Sequence, residues 1–318
     1  MCGIAGIIYR DETLAERLGA DLAALIQPLE TRGPDSSGIA LYSRPVAAGQ
    51  VKLVLRGDAA VDWGAVQAWI EQIVPVVDTH VAADDRRLIL DVAQDLPFQV
   101  NEFRRALRSR FPGIHVMSLG QGLEIYKEVG AVDNLIQKYG LTTFSGSHGI
   151  AHTRMATESV VDIDHCHPFT TSFDLAIVHN GQISNYYRLR FQLERAGMVF
   201  ETHNDSETIV NYIHYQLLQG KSLEASLEAL LGDIDGTYTF LVATPDKVAL
   251  VRDKFAAKPA VIYEAADKVA IASEYRALLK LSDFDADAII REPDAGEINI
   301  WSVPSPAPTP APLSAVGR

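Results

Sequence analysis

Short apolar strand patterns around a compact block of helical patterns constrain the fold of this 318-residue chain more than any other feature. The opening run CGIAGIIY has no helical periodicity and predicts a buried strand over residues 2–9, and SSGIALYS predicts a second. Strand patterns return after residue 146 as GSHGIAHTRM and DLAIVHNGQI, and later as TYTFLVATP, KVALVRD, AVIYEA and KVAIASE. Between these two groups lie three helical patterns, near residues 185–196, 206–218 and 223–231. Strands in series around a segregated helical block predict an α+β layered sandwich, and not a doubly wound parallel sheet.

Residues 45–145 follow a different pattern, in which strand-like and helix-like segments alternate. VKLVLRG, RLILDVA and GIHVMSLG predict strands, and WGAVQAWIEQIV and NEFRRALRSRF predict the helices between them. We interpret this stretch as an α/β insertion in a core made of residues 2–44 and 146–302. Residues 303–318, VPSPAPTPAPLSAVGR, have proline at alternating positions and predict an extended, disordered tail.

The second helix of the insertion carries a basic face in an otherwise acidic chain, formed by Arg104, Arg105, Arg108 and Arg110. A solvated helix surface explains such a face without any binding role. A surface that docks a partner is the alternative.

Charge and cysteine content exclude several classes of protein. A formal net charge of −13 argues against a nucleic-acid or anionic-membrane surface, because both of these partners are polyanions. With only two cysteines, Cys2 and Cys166, neither a disulfide scaffold nor an iron–sulfur ligand set is expected. The run from residue 2 to residue 9 is too short for a signal peptide, and no stretch is long enough to span a bilayer. We expect a cytoplasmic protein with no nucleic-acid or membrane partner.

Cys2 stands directly behind the initiator methionine, and this position has two interpretations. A buried cysteine in a core strand is an ordinary small apolar residue. Removal of Met1, which a small second residue permits, would instead leave Cys2 with both a thiol and a free α-amino group. That amine has a reference pKa of about 7.7, so it can act as a base toward its own side chain. Nucleophile and base would then belong to one residue, as in N-terminal threonine hydrolases.

Polar residues in otherwise apolar strand sequence complement this thiol. HTRMATES places Arg154 and Thr157 where a guanidinium and a hydroxyl could hold a carboxylate. Asn180 and Gly181 supply a side-chain amide and a backbone N–H, the components of an oxyanion hole. Asp205 begins a helix, where it could be the N-cap or could accept a substrate ammonium. Taken singly, the arginine could form a salt bridge and the Asn-Gly pair a turn, but together with the thiol the set fits hydrolysis of a glutamine amide.

HCHPF raises the question of a metal site. His165 and His167 would share one face of a strand, with Cys166 on the other face. The two histidines could bind a metal together, but no second matched pair is visible. We therefore expect no metal site.

The same motifs occur in the order found in a known family. MCGIAG, TRGPDSSGIA, AHTRMATES, HPF, VHNGQISN, NDSETIV, DGTYTF, VRDK and ASE resemble those of the class II, N-terminal-nucleophile glutamine amidotransferases. The resemblance covers residues 2–44 and 146–300, so the amidotransferase domain would extend over residues 2–302. It implies a four-layer αββα sandwich of the N-terminal-nucleophile hydrolase type, and hydrolysis of glutamine to glutamate and ammonia.

The resemblance also implies the catalytic roles. Cys2 would be the nucleophile, and Asn180 with Gly181 would form the oxyanion hole. Arg32, in the RGPD stretch, is similar to the family arginine that braces the N-terminal cysteine.

Binding of L-glutamine is implied in the same way. Arg154 with Thr157 would hold the α-carboxylate, and Asp205 with the backbone of Gly181 would hold the α-amino group. Two features differ from many members: Met155 replaces an aromatic residue, and the motif ends in TES and not in TxG. Both features look most like the glutamate-synthase branch of the family.

Class II amidotransferases normally fuse this glutaminase to a synthase domain that consumes the ammonia. After residue 300 we find only the proline-rich stretch, so we expect a separate, ammonia-accepting synthase subunit as partner. Stand-alone glutaminase subunits of glutamate synthases and N-methylglutamate synthases are the most similar members, and GLEIYKEVGAVDNLIQKYGL resembles a segment of theirs. We expect no cofactor in this chain, whereas the partner chain of those enzymes binds FMN and 2-oxoglutarate.

Three other functions stay open at this stage. The chain could be an amidase of the same fold that acts on another amide. It could be a non-catalytic, regulatory subunit that senses glutamine. A stand-alone transferase is the third, although no second substrate site is visible.

Overall fold

The structure, a computed structural model, describes residues 2–83, 85–92, 97, 99–156, 160–171 and 174–304. The strands are β1 (Gly3–Tyr9), β2 (Ser36–Tyr42), β3 (Gln50–Gly57), β4 (Val76–Ala82), β5 (Asp85–Asp91), β6 (Ile114–Gly120), β7 (Leu123–Val129), β8 (His148–Arg154), β9 (Phe169–Thr170), β10 (Ala176–Ile183), β11 (Gly236–Thr244), β12 (Lys247–Arg252), β13 (Val261–Glu264), β14 (Lys268–Ala272), β15 (Ile289–Arg291) and β16 (Ile298–Ser302). The α-helices are α1 (Leu18–Ile26), α2 (Trp63–Glu71), α3 (Val100–Arg110), α4 (Val132–Tyr139), α5 (Tyr186–Arg195), α6 (Asp205–Leu218), α7 (Leu223–Asp233) and α8 (Tyr275–Leu278). Short 3₁₀ helices cover Glu12–Arg17, Gln27–Arg32 and Leu141–Thr143.

The first strand, β1, lies in the middle of a seven-stranded sheet with the order β15-β13-β14-β1-β8-β2-β7. Every residue of β1 is buried, because α1 covers one face of the strand and a second sheet covers the other. Burial on both faces explains why its sequence is continuously apolar and not alternating. β1 pairs antiparallel with β8 in a register that sets Gly3 opposite Thr153, so Cys2 lies beside the end of β8.

The second sheet has five strands in the order β16-β12-β11-β10-β9. β10 pairs antiparallel with β11, and the register sets Asn180 opposite Thr239 and Gly181 opposite Tyr238. Val178 of β10 packs in the core shared with the seven-stranded sheet, whereas Ile177 packs in a second core under α5, α6 and α7. Alternate apolar residues of β10 therefore pack in two different cores.

The layers stack as helix, sheet, sheet, helix. α1, α4 and α8 lie on the seven-stranded sheet, and α5, α6 and α7 lie on the five-stranded sheet. The predicted α+β fold, a four-layer αββα sandwich, is confirmed. The predicted helical block between residues 185 and 231 corresponds to α5, α6 and α7.

Between β2 and β7 the chain forms a four-stranded antiparallel sheet with the order β4-β5-β3-β6. This sheet, with α2 and α3, has an apolar core of its own. The insertion was expected over residues 45–145, a range that also contains β7 and α4. The structure places both of these in the main sandwich, because β7 pairs with β2. The strands of the four-stranded sheet therefore lie within residues 50–120.

Two arginines of the basic face of α3, Arg104 and Arg108, contact the main sandwich, whereas Arg105 and Arg110 are exposed. Arg104 Nη1 lies 3.4 Å from a carboxylate oxygen of Glu201, in the segment before α6. Arg108 Nη2 lies 3.3 Å from a carboxylate oxygen of Asp164, which also contacts His115 Nδ1 of β6 at 2.9 Å. These charged contacts join the insertion to two segments of the sandwich.

The chain end beyond β16 is described only in part. Val303, the first residue of the predicted tail, is buried, and its N–H donates to the carbonyl oxygen of Asp246. Residues 305–318 lie outside the described residues, so their disorder stays a prediction. None of the helices in the described part of the chain has both the length and the apolar character that crossing a bilayer requires.

Candidate active site

Cys2 lies at the end of the sandwich where β1 begins and β8 ends. The backbone N–H of Met155 donates to its Sγ at 3.5 Å, and the thiol faces the Met155 carbonyl oxygen at 3.8 Å. Arg32 Nε donates to the carbonyl oxygen of Cys2 at 2.9 Å, and Arg32 Nη1 lies 2.8 Å from a carboxylate oxygen of Glu274. The structure thus places Arg32 against the main chain of Cys2, where a bracing residue has to lie.

The surroundings of Cys2 act on its pKa in opposite directions. Burial raises the pKa of the thiol, and this effect outweighs the Met155 hydrogen bond and the charges of Arg154 and Arg32, all of which favour the thiolate. The thiolate is the nucleophilic form of cysteine. The site therefore needs a base close to Cys2.

Arg154 is the last residue of β8, and only 4% of its surface is exposed. Its Nη1 donates to the carbonyl oxygen of Val160 at 3.0 Å. Asp35 accepts from the backbone N–H of Ala156 at 2.7 Å and donates its own backbone N–H to the Arg154 carbonyl oxygen at 3.0 Å. Asp35 therefore anchors the segment that follows Arg154, a role that sequence reasoning missed although the residue belongs to RGPD. Thr157, predicted to assist Arg154, lies outside the described residues.

Asn180 and Gly181 lie in β10. Asn180 is 2% exposed, and its Nδ2 has no hydrogen-bond partner among the residues that the structure describes. A buried amide without an acceptor is costly, and an oxyanion placed beside it would satisfy it. Gly181 has a φ of +146°, and a Cβ at this position would collide with the carbonyl oxygen of Thr237. Only glycine fits this close approach of β10 to β11.

Asp205 is the first residue of α6 and is not its N-cap. Asn204 occupies the cap position, because its side chain accepts from the backbone N–H of Ser206 at 2.9 Å. Asp205 Oδ2 instead accepts from the backbone N–H of Ile183 at 3.0 Å. The capping interpretation of Asp205 is therefore wrong, and its carboxylate joins α6 to the end of β10.

A histidine connects the two sheets at this end of the sandwich. His152 of β8 donates from Nε2 to the carbonyl oxygen of His179 of β10 at 3.0 Å. Arg154 follows His152 by two residues, and Asn180 follows His179 directly. The structure therefore brings together the predicted site residues that it describes, Cys2, Arg32, Arg154, Asn180, Gly181 and Asp205.

Behind these residues lies a buried polar cluster that sequence reasoning missed. Ser206 Oγ is 2.8 Å from His167 Nε2 and 2.9 Å from His179 Nδ1. The ring of His167 also stacks on that of His152, with 3.9 Å between the ring centroids. Burial lowers the pKa of all three histidines, to about 3 for His152, so the cluster is neutral around pH 7.

HCHPF does not form the strand that was expected, because β9 begins only at Phe169. His165 Nδ1 bonds to a carboxylate oxygen of Asp162 at 2.7 Å, whereas His167 bonds to Ser206. The two rings therefore have separate partners. Within the described residues, no group of three His, Cys, Asp or Glu side chains is arranged to hold a metal ion.

Comparison with known proteins supports the same interpretation. Residues 152–280 match the family model described as a glutamine amidotransferase domain. The chain is 37% identical to the glutamine amidotransferase-like protein GlxB of Rhizobium meliloti, over 95% of this chain and 98% of that protein. It is 31% identical to a protein of Methanothermobacter thermautotrophicus assigned as a glutamine amidotransferase, over 95% of this chain and 100% of that protein.

A solved structure shares the fold. Glutamine phosphoribosylpyrophosphate amidotransferase from B. subtilis superposes with a TM-score of 0.60 at 20% identity, over 95% of this chain. This chain spans 47% of the length of that protein. The chain is 37% and 31% identical to these two relatives over nearly their full lengths, and it shares the fold of the solved amidotransferase. It follows that the chain is an enzyme of the class II glutamine amidotransferase family.

Proposed function

We propose that this chain is a glutaminase subunit, which hydrolyses L-glutamine to glutamate and ammonia through a thioester on Cys2. The observation that carries the proposal is the unpartnered, buried Nδ2 of Asn180 at the end of the sandwich where Cys2 and Arg154 also lie. A nucleophile, an anion-binding guanidinium and an unused amide donor are what attack on an amide requires.

The first half of the reaction forms the thioester. Once Met1 is removed, the α-amine of Cys2 takes the thiol proton, which offsets the raised pKa of the buried thiol. The sulfur attacks the side-chain carbonyl carbon of glutamine, and Asn180 Nδ2 and the N–H of Gly181 hold the resulting oxyanion. Collapse breaks the C–N bond, and the protonated α-amine returns its proton to the departing ammonia.

The second half of the reaction releases glutamate. Water loses a proton to the α-amine of Cys2 and attacks the thioester carbon, so that the C–S bond breaks and the thiolate regains a proton. Arg154 would hold the substrate α-carboxylate throughout, and Asp205 Oδ1 would accept from the α-ammonium. Water and glutamine are thereby converted to glutamate and ammonia without a cofactor in this chain.

We further propose that a separate synthase subunit, of the glutamate synthase or N-methylglutamate synthase type, receives the ammonia. The two relatives described above are matched over 98% and 100% of their own lengths, which supports an amidotransferase that works without a fused synthase domain. FMN, if this assembly uses it, would belong to the partner subunit.

Mass spectrometry of the full-length chain tests the chemistry. Intact mass should show loss of Met1, and treatment with the glutamine analogue diazo-oxo-norleucine should add one adduct on Cys2. The Cys2→Ala variant should release no ammonia from glutamine. Cys166→Ala is the matched control, because Cys166 is buried and its thiol donates to the carbonyl oxygen of Asp162 at 2.9 Å. This variant should keep the activity.

Three results would contradict the proposal. An adduct on Cys166, or glutaminase activity in Cys2→Ala, would exclude Cys2 as the nucleophile. Hydrolysis of another amide without turnover of glutamine would identify an amidase of different specificity. Tight binding of glutamine without ammonia release, in the presence of the co-purifying partner, would identify a sensor.

A further inference from the structure

Ser206 occupies an unusual position in the first turn of α6. It is 1% exposed, and its hydroxyl lies between two imidazole rings, 2.8 Å from His167 Nε2 and 2.9 Å from His179 Nδ1. Asp205 Oδ1 is a third neighbour, at 3.4 Å from the same oxygen. One buried hydroxyl thus contacts three polar side chains from three segments of the chain.

The proton count of this cluster restricts its arrangement. A serine hydroxyl carries one proton and accepts through two lone pairs, so Ser206 can donate to only one of its three neighbours. At least one of the two imidazoles must therefore donate an N–H to Ser206. The remaining ring nitrogens, His167 Nδ1 and His179 Nε2, are buried and have no hydrogen-bond partner in the described part of the chain. Among the described residues, each of these two rings has one side-chain hydrogen bond, and its partner is Ser206.

Two of the residues that contact Ser206, His179 and Asp205, lie beside or within the proposed glutamine site. His179 precedes Asn180, the proposed oxyanion donor, and its carbonyl oxygen is held by His152. Asp205, the proposed ammonium acceptor, precedes Ser206 itself. The Ser206 hydroxyl therefore joins His179, which precedes the proposed oxyanion donor, to Asp205, which is the proposed ammonium acceptor.

We propose that Ser206 is a positioning residue of the glutamine site, whose hydroxyl holds Asp205 and Asn180 in a fixed relation and occupies His179 Nδ1 as its hydrogen-bond partner. The inference rests on the proposed glutaminase function and deepens it. His179 Nδ1 also lies 3.7 Å from Asp205 Oδ1, so without the hydroxyl Asp205 would be the polar side chain nearest to this nitrogen in the described part of the chain.

Loss of the hydroxyl has a consequence that depends on pH. A protonated His179 would pair with Asp205 and compete with the substrate ammonium for its carboxylate. The charged and titratable groups that face His179 are Asp205 on α6, which favours the protonated ring, Lys258 after β12, which disfavours it, and the imidazoles of His152 and His167. Removing the Ser206 hydroxyl strengthens the contribution of Asp205, because the hydroxyl no longer competes with the carboxylate for His179 Nδ1.

Kinetics of the variants Ser206→Thr and Ser206→Val test the proposal, because the two side chains share a shape and differ in the hydroxyl. We expect Ser206→Val to raise the KM for glutamine by about tenfold, the effect of one lost hydrogen bond, and by more at pH 6 than at pH 8. Ser206→Thr should stay close to the unmodified chain at both pH values. The control Ser226→Ala removes another buried serine hydroxyl, on α7, which donates to the carbonyl oxygen of Ser222 at 2.7 Å. This control should leave KM unchanged.

Equal KM values for the Thr and Val variants at every pH would overturn the proposal. A merely structural role would lower the yield or the thermal stability of Ser206→Val without making its KM more sensitive to pH than that of Ser206→Thr.

A measurement on the unmodified chain covers the case in which the Val variant does not fold. Nitrogen-15 NMR of histidine-labelled protein should show His167 and His179 as neutral rings from pH 6 to pH 8, with at least one ring N–H protected from solvent exchange. Titration of either ring in that range would contradict the arrangement. Failure of the glutaminase proposal is separate, because it would appear as absence of ammonia release from the unmodified chain, with these NMR signals unaffected.

Discussion

At the residue scale, Gly181 is fixed by backbone geometry as well as by its proposed role. Its φ of +146° and the carbonyl oxygen of Thr237 leave no room for a Cβ. We expect Gly181→Ala to lower the free energy of unfolding by about 1–3 kcal/mol, the cost of a strained non-glycine residue. Chemical denaturation measures this change. Gly232→Ala is the control, because Gly232 lies in α7 and a Cβ at this position would meet nothing within 4 Å.

The control should change stability in the opposite direction. Alanine is a better helix former than glycine, so Gly232→Ala should raise the free energy of unfolding by up to about 1 kcal/mol. A loss of stability in Gly232→Ala that equals the loss in Gly181→Ala would show that the geometry of β10 is not the cause.

Asn180 supports a second prediction at this scale. If its Nδ2 stabilises the oxyanion, Asn180→Ala should lower kcat for glutamine hydrolysis by about 10²–10³-fold, with little change in KM. Asn211→Ala is the matched control, because Asn211 is also buried but donates to the carbonyl oxygen of Val199 at 3.3 Å. A similar fall in kcat in both variants would indicate general damage to the fold, and an unchanged kcat in Asn180→Ala would exclude the oxyanion role.

The grouping of the proposed site residues was predictable from the sequence where a residue belongs to a compact motif. Cys2, Arg154, Asn180 and Gly181 stand in such motifs, and the structure places them together. Asp205 was ambiguous, because Asn204 and Asp205 are both good capping residues and only the contact with Ile183 separates their roles.

Ser206 could not be predicted in this way. A serine in the first turn of a helix is ordinary. Its importance arises from His167 and His179, which lie far from it in sequence and reach it only after the five-stranded sheet and α6 have packed.

Among the secondary-structure elements, strands that are buried inside the sandwich were easier to predict from sequence than strands at the edges of the sheets. β1, β2, β10 and β11 lie inside the sandwich, and their apolar patterns predicted them. Among the strands that were not predicted, β4, β15 and β16 are partly exposed edge strands, and β7 is an edge strand that is mostly buried. An edge strand buries less surface, so its sequence carries a weaker apolar pattern. The position of β7 and α4 could not be predicted either, because only pairing with β2 assigns β7 to the main sheet.

The docking of α3 on the sandwich leads to a prediction about charge. Arg104 and Glu201 form a pair in which the arginine side chain is 12% exposed and the glutamate side chain 35%. A double-mutant cycle of Arg104→Ala and Glu201→Gln should give a coupling energy of about 0.2–1 kcal/mol, the range of partly exposed pairs. The coupling should shrink in high salt, because ions screen such pairs.

Arg105 provides the control for this cycle. It lies on the same helix, is exposed, and donates to the carbonyl oxygen of Asn101. A cycle of Arg105→Ala with Glu201→Gln should give no coupling. Equal coupling in the two cycles would mean that α3 acts through its overall charge and not through a specific pair.

At the scale of the whole molecule, buried histidines determine how stability depends on pH. The chain has 9 histidines, and burial lowers the pKa of His148 and His214 to about 4, that of His152 to about 3, and those of His167 and His179 below the usual value. These rings stay neutral in the folded chain at a pH where they take up protons in the unfolded chain. Below about pH 6.5 the unfolded state therefore binds more protons, and the free energy of unfolding falls as the pH falls.

His214 allows this argument to be tested away from the proposed site, because it lies on α6 and its pKa is lowered by burial alone. His214→Gln removes one ring that is neutral when folded and protonated when unfolded. Between pH 6 and pH 5, its free energy of unfolding should fall less steeply than that of the unmodified chain, by about 1 kcal/mol per pH unit. His203→Gln, which replaces an exposed histidine, is the control for the substitution itself. Denaturant unfolding at several pH values measures the three slopes, and equal slopes for all three chains would mean that His214 takes up its proton without unfolding.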